Sequence, residues 1–239
     1  MNRKGLRLLA GLVVLFAASV VPVRASTVDL TFAGVAPYPS SNNVLIENYY
    51  NGGTSSIGTS GTNYGISFSD NALDLCLNSL MTSCSNTSKG GLGDPNSQVN
   101  ALYWLSGADA YMDDPAGFTT GFSFTYSDPF TPGASISVYS GVDGTGSLLA
   151  TLSLPLTTSN CPGYGAGYCP FVPIGVTFSG TAESIDFGGT ADYVVFDDVT
   201  IGSATPGPPT GVTPEPSNLL LFGTGLLAVA GAIRRKIRV

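Results

Sequence analysis

The sequence predicts an all-β fold, an antiparallel jelly-roll-like β-sandwich, for residues 26–202 of this chain. Three observations carry that expectation. Apolar and polar residues alternate with period two through several short segments, the pattern of strands with one buried face. Clusters of Gly, Ser, Asn and Pro separate those segments at short intervals. No stretch of the region shows the longer period of an amphipathic helix.

The elements follow in order. "STVDLTFAGV" (26–35) alternates Val28, Leu30 and Phe32 with polar partners and reads as the first strand. "NYYNGGTSSIGTSGTNYG" (48–65) is too rich in Gly, Ser and Thr for a regular ladder, and the short strand "ISFSD" follows it. Residues 71–100 read as loop, with a helical turn at "NALDLCLNSL". "ALYWLSG" is a strand, and "FTTGFSFTYSD" (118–128) is a half-buried one with Phe118, Phe122, Phe124 and Tyr126 on its apolar side. "ASISVYS" and "SLLATLSLPL" form a hairpin around Asp143-Gly144, a dipeptide suited to the tight turn. "FVPIGVTFSG" has Val172, Ile174, Val176 and Phe178 in phase, and "ESIDFGG" and "YVVFDDVTIGS" complete a set of about nine strands. Short strands with regular turn signals favour a sandwich over a barrel.

The two ends have a different character. Arg3, Lys4 and Arg7 precede an apolar run from Leu8 to Val21, and "VRA" precedes Ser26. That is the layout of a secretory signal peptide over residues 1–25, and the run is short for a permanent membrane helix. At the other end, "SATPGPPTGVTPEPS" (203–217) holds five prolines in fifteen residues. Such a segment is extended and semi-rigid, and residues 203–213 read as a linker to a C-terminal unit at 214–239.

Charge is distributed as sharply. Residues 26–213 contain 15 acidic residues against the single base Lys89, a formal charge of −14, although the whole chain carries −7. A body this acidic repels phosphate backbones, which excludes nucleic acid as a partner. The four cysteines fall into two equally spaced pairs, Cys76 with Cys84 and Cys161 with Cys169. Of the three possible connectivities, local pairing is the simplest in an exported protein, each bridge contributing roughly 2.5 kcal/mol on the chain-entropy model.

Catalytic motifs are scarce. The chain contains no histidine, which removes Ser-His-Asp and Cys-His nucleophilic sites and histidine-ligated metals. "GYGAGY" (163–168) does not sit between a strand and a helix and fails the dinucleotide and phosphate-loop patterns. Glycoside hydrolysis needs two carboxylates across a cleft. Glu47, Asp113, Asp114, Glu183, Asp197 and Asp198 are available, but sequence places no pair. Calcium, which takes six to eight oxygen ligands, has a candidate set in Glu47, Asn51, Asp197 and Asp198, because the first and last strands of a jelly roll often run side by side. For stacking on sugars the aromatic residues are Tyr49, Tyr50, Tyr103, Trp104, Tyr111, Tyr164 and Tyr168, with the loop tyrosines favoured over Trp104.

The C-terminal unit combines three parts. Pro214, Glu215, Pro216 and Ser217 lead into fifteen uncharged residues from Leu219 to Ile233, followed by Arg234, Arg235, Lys236 and Arg238. The run is short for a spanning helix of about 20 residues, and the basic cluster would stay cytoplasmic. In this order and position the three parts resemble the PEP-CTERM sorting domain of Gram-negative bacteria, over about 27 residues. The resemblance implies export across the inner membrane, processing by signal peptidase and by an exosortase, and release or attachment at the surface. Proteins with this tail are associated with exopolysaccharide and biofilm matrix. The body also resembles other bodies that carry the tail, a likeness that adds context and no activity. The expectation is therefore a non-enzymatic, calcium-tolerant sandwich in a structural or adhesive role at the envelope. The rivals are a carbohydrate-binding module and a glycoside hydrolase.

Overall fold

The structure is a computed structural model. It describes residues 27–36, 44–76, 100–159 and 167–207. The expected signal peptide, most of the linker and the whole C-terminal unit lie outside these residues, as do Lys89 and Tyr164.

Among the described residues the chain forms strands and no helix. The strands are β1 (Val28–Leu30), β2 (Val44–Leu45), β3 (Ser67–Phe68), β4 (Ala72–Cys76), β5 (Asn100–Trp104), β6 (Tyr111–Phe118), β7 (Gly121–Ser127), β8 (Ser135–Tyr139), β9 (Leu148–Ser153), β10 (Val172–Thr177), β11 (Ala182–Gly189) and β12 (Val195–Ile201). They make two antiparallel sheets. The larger runs β10-β7-β12-β5-β4-β2 with β1 added against β12, and the smaller runs β3-β6-β11-β8-β9. On one edge of β12, β5 pairs with Val195 and Phe196 while β1 pairs with Val199 to Ile201. The first and last strands are therefore neighbours, as the jelly-roll reading expects.

The two sheets share one core. Phe187 of β11 packs against Trp104 of β5, Phe122 of β7 and Phe196 of β12, at ring-centroid distances of 5.3, 6.2 and 5.2 Å. These contacts join the smaller sheet to the larger. All four rings are fully buried, each contributing roughly 1.5–3 kcal/mol of transfer free energy. Trp104 is thus wholly core. Val172, Ile174 and Val176 of β10, and Phe178 just after it, pack against the same core in the phase that the sequence shows.

Three sequence expectations need correction. "NALDLC" is not a helical turn: Ala72–Cys76 is strand β4, paired with β5 along its length. Its alternation puts Ala72 in the main core while Leu73 and Leu75 join a second apolar cluster with Ala101, Phe171 and Val195. A strand buried on both faces loses the polar alternation that would have revealed it. Next, residues 118–128 are not one strand. Phe118 ends β6 in the smaller sheet and Gly121 begins β7 in the larger, with Thr120 between them at φ 81°. Last, the Ser and Thr side of β7 is not solvated. Ser123, Thr125 and Ser127 are buried, the first two donating to the carbonyls of Ser203 and Asp197.

The expected hairpin is present. β8 pairs β9, and Asp143 and Gly144 have φ of 53° and 67°. The backbone N–H of Thr145 donates to the carbonyl of Val142 across them. Two adjacent positive φ values are what the mirror-image hairpin turn requires.

Candidate functional site

Three connections converge at one end of the molecule: the turn from β3 to β4, the loop from β5 to β6, and the turn from β11 to β12. Asn71 ties the first two together. Its Nδ2 donates to the Ser106 carbonyl (3.0 Å), the Ser106 hydroxyl (2.9 Å) and the Ala108 carbonyl (2.9 Å). Its Oδ1 accepts from the Ser69 hydroxyl. The third connection is tied in through the backbone, Asp192 N–H donating to the carbonyl of Trp104 at 2.9 Å. Gly107 and Gly188 lie against each other, so that a Cβ on Gly107 would come within 2.7 Å of the Gly188 carbonyl oxygen. Only glycine allows that approach.

Between the first two connections is an open cleft of about 460 Å³ lined by Ser69, Asp70, Asn71, Ser106, Ala108 and Asp109. Asp109 holds a left-handed conformation (φ 52°), which Asp tolerates better than most residues. Partly exposed aromatic groups lie on β5 and in the connections that precede β10 and β12. Tyr103 is half-buried, and its phenol donates to Asp192 Oδ1 at 3.2 Å. Burial first, then the Asp192 charge and hydrogen bond, then Tyr168 and Tyr193, push the Tyr103 phenol above its ordinary range. It therefore stays a neutral donor. Tyr193 is 50 % exposed and Leu105 49 % exposed. Tyr168 packs edge-on against Phe130 at 5.6 Å.

The residues singled out from the sequence are distributed as follows. Asp197 and Asp198 are buried in β12, where Asp197 Oδ1 accepts from the Asp198 N–H at 2.8 Å. The β12–β7 register shifts between Asp197 and Thr200, and Asp198 has φ 46°, marking a bulge. Glu47 is half-exposed and Asn51 exposed, in the turn after β2. Among the described residues no group of three or more Asp, Glu, Cys or His could hold a metal ion. Asp113 Oδ1 accepts from the backbone N–H of Asp143 at 2.9 Å, pinning the β8–β9 hairpin. Burial, and the nearby Asp143 charge, push the Asp113 carboxyl up to about 6. Tyr49 and Tyr50 are buried, as is Trp104, so none of the three offers a face for sugar stacking. Tyr111, Tyr103 and Tyr168 are partly exposed. Cys169 is buried and disulfide-bonded, while Cys84, Cys161 and the side chain of Cys76 lie outside the described residues. Pro214, Glu215, Pro216, Ser217 and the basic cluster Arg234, Arg235, Lys236 and Arg238 also lie outside them. No helix of the described residues is long and apolar enough to cross a membrane.

The cleft residues were not singled out from the sequence. "SDN" (69–71) and "SGAD" (106–109) read there as ordinary turn chemistry. Only the strand order, which brings β3–β4, β5–β6 and β11–β12 to one end, makes them a site.

Comparison with known proteins gives one match. No curated protein matches the chain, and no solved structure does. The family model of the PEP-CTERM protein-sorting motif matches residues 212–236. That span includes the Pro-Glu-Pro-Ser tetrapeptide, the uncharged run and three of the four basic residues. The chain therefore carries a PEP-CTERM sorting motif, the mark of an exported protein that an exosortase sorts through a membrane-anchored signal.

Proposed function

We propose that this protein is a non-catalytic component of the cell surface or extracellular matrix. A signal peptide at 1–25 exports it, and its PEP-CTERM tail holds it in the inner membrane until an exosortase processes it near Pro214–Ser217. The working part is the jelly-roll-like body at 26–202, held off the membrane by the linker at 203–213. Local disulfides, Cys76 with Cys84 and Cys161 with Cys169, brace its loops in an oxidising compartment. Its role is structural or adhesive, in an envelope or exopolysaccharide matrix. The observation that carries this reading is the family match at 212–236. Intact-mass measurement of the protein from envelope and medium tests it. The expected species lack the first 25 residues and the segment beyond the Pro-Glu-Pro motif. A single species at the full 24.4 kDa in both fractions overturns the reading.

A second reading, a carbohydrate-binding module, is favoured by an open cleft at one end of the molecule and by the exposed Tyr193 in the β11–β12 turn. The hydrolase reading has no such support. Of the carboxylates weighed for it, Asp113 has one oxygen committed to the backbone N–H of Asp143 in the hairpin.

A further inference from the structure

The peptide bond between Asp128 and Pro129, just after β7, is held at several points. Thr157 grips the main chain of Asp128 on both sides. The Asp128 N–H donates to Thr157 Oγ1 at 3.0 Å, and the Asp128 carbonyl oxygen accepts from the Thr157 N–H at 2.9 Å. The segment that carries Thr157 is itself fixed. The Tyr126 phenol donates to the carbonyl of Pro155 at 2.7 Å, and the Leu154 N–H donates to that of Ala134 at 2.8 Å. The Asp128 side chain is fully buried. Its Oδ1 accepts from the N–H groups of Thr131 (3.0 Å) and Phe130 (3.4 Å), an Asx turn whose hydrogen-bonded ring closes around the Asp128–Pro129 peptide. Its Oδ2 is buried and has no hydrogen-bond partner.

These features favour one reaction, attack by the carboxyl on the carbonyl carbon of its own residue. The Thr157 N–H meets the oxygen on which negative charge would develop, as a donor in an oxyanion hole does. Oδ2 has no hydrogen bond to give up before it attacks. Proline is the readiest leaving group in a backbone, because its ring nitrogen is a more basic amine than that of other residues. Burial raises the Asp128 carboxyl above its ordinary range, and the bonds from Thr131 and Phe130 offset part of that. It therefore holds its proton in weaker acid than an ordinary carboxyl does. The titratable groups that it meets are the phenols of Tyr126 and Tyr168, both pushed up by burial first and so uncharged.

We propose that the Asp128–Pro129 bond is a self-cleavage site, with the Asp128 carboxyl as its nucleophile and the Thr157 N–H as its oxyanion donor. The bond from the carboxyl oxygen to the carbonyl carbon forms, and the bond from that carbon to the Pro129 nitrogen breaks. The carboxyl proton goes to the proline nitrogen. The products are a cyclic anhydride at Asp128 and a free amine at Pro129. Water, which reaches the half-exposed Pro129, then opens the anhydride to two carboxyls. The sum is hydrolysis of one peptide bond, once per chain, without turnover on any other substrate. The two pieces stay together, because β7 on the first pairs with β10 and β12 on the second, and β6 pairs with β11. The body becomes two-chained with its sheets intact and its sorting tail on the second piece.

Intact-mass spectrometry tests it, on the full-length protein in detergent with protease inhibitors, incubated across weakly acidic to neutral pH. The expected result is a pair of fragments that meet at Asp128 and Pro129. They form at a rate independent of protein concentration that rises as pH falls, since the neutral carboxyl supplies the proton. Hydroxylamine should trap the anhydride as a hydroxamate on Asp128. Asp128→Asn keeps the acceptor for Thr131 and Phe130 but loses the acidic oxygen, and it should cut about a hundredfold or more slowly. Pro129→Ala keeps the carboxyl and worsens the leaving group, so it too should be slow, and melting curves show which variants fold. The other Asp-Pro bonds of the chain, Asp94–Pro95 and Asp114–Pro115, are internal controls. Several results overturn the inference: no cut after Asp128 in the folded protein, a rate proportional to protein concentration, or undiminished cutting in either folded variant. So does equal cutting at all three Asp-Pro bonds, which is the ordinary acid lability of an unfolded chain. The sorting reading stands or falls separately, on loss of the N-terminal segment and of the tail beyond the Pro-Glu-Pro motif.

Discussion

Replacing Asp74 by asparagine should raise the stability of this protein at neutral pH. Asp74 is fully buried in β4, on the core side of the larger sheet. Its Oδ2 accepts from the Ala36 N–H at 2.9 Å and from Asn100 Nδ2 at 2.7 Å. Its Oδ1 and the Asn100 Oδ1 are both buried without a hydrogen-bond partner. Burial raises the carboxyl well above its ordinary range, and the bonds from Asn100, Ala36 and Ala101 offset only part of that. The titratable groups that it meets are the phenols of Tyr49 and Tyr50, themselves pushed up by burial and so uncharged. A carboxyl whose value is higher in the folded than in the unfolded state, where it is about 3.9, binds its proton more tightly when folded. Its contribution to stability is fully present below the unfolded value and is lost as pH rises through the folded one. At neutral pH the wild type must hold a charged carboxylate with an unpartnered oxygen, or take up a proton. Asparagine needs neither, and its amide nitrogen is a donor where the carboxylate had a second acceptor. An unpartnered buried polar atom costs about 1–3 kcal/mol, so a gain of about 2 kcal/mol is expected. For a domain of this size that is a rise of about 4–8 °C in melting temperature. Fluorescence of the chain's single tryptophan, the buried Trp104, reports the transition. The gap between variant and wild type should narrow as pH falls toward 4. An Asp74→Asn protein that melts at or below wild type at pH 7, or a gap independent of pH, refutes the reasoning.

Other perturbations have equally definite outcomes. Asp113 should titrate with a midpoint near 6, read by carboxyl-carbon NMR; a midpoint near 4 would show that its burial is not felt. Its raised value means that its contribution to stability falls as pH climbs through that midpoint. Gly107→Ala forces a methyl against the Gly188 carbonyl and should destabilise by about 1–3 kcal/mol, lowering the melting temperature; an unchanged melt would mean that the two turns separate freely. Phe187→Ala empties the centre of the core and should destabilise by about 3–5 kcal/mol in a denaturant titration. Calcium at Glu47, Asn51, Asp197 and Asp198 requires two buried groups to act with two on a surface turn. Equal melting midpoints in calcium and in chelator are therefore expected, and a rise in calcium restricted to the wild type, absent in Asp197→Asn, would reverse that view.

How much was legible can be judged from particular residues. The β8–β9 hairpin was, because Asp143-Gly144 states its turn locally. So was β10, where Val172, Ile174 and Val176 alternate against the core and Phe178 follows in phase. Strand β6 was not. It contains Asp113, Asp114 and Pro115, an unpromising run for a strand, and its ladder with β11 shifts opposite them, between Ala182 and Ser184. A bulge at that place accommodates a residue without an N–H, but nothing local announces it. The break at Thr119–Thr120 was hidden for a related reason: Phe118 and Phe122 both face the one core, so the apolar pattern continues while the chain changes sheet. The cleft was invisible because its parts, from residue 69 to residue 109, are assembled only by strand order. The sorting motif was the reverse case, contiguous and readable without any fold.

Strand β12 has one more implication. Among the described strands it is the last to be synthesised, yet it lies inside the larger sheet, contacting β7 on one edge and both β5 and β1 on the other. The body consequently cannot close until residue 201 has emerged, only about a dozen residues ahead of the Pro-Glu-Pro motif. While a chain is threaded through a membrane, its first described strand waits for a partner 171 positions downstream, as the Asp29↔Thr200 register shows. Completion of the domain and delivery of its sorting tail are thus nearly the same event in time.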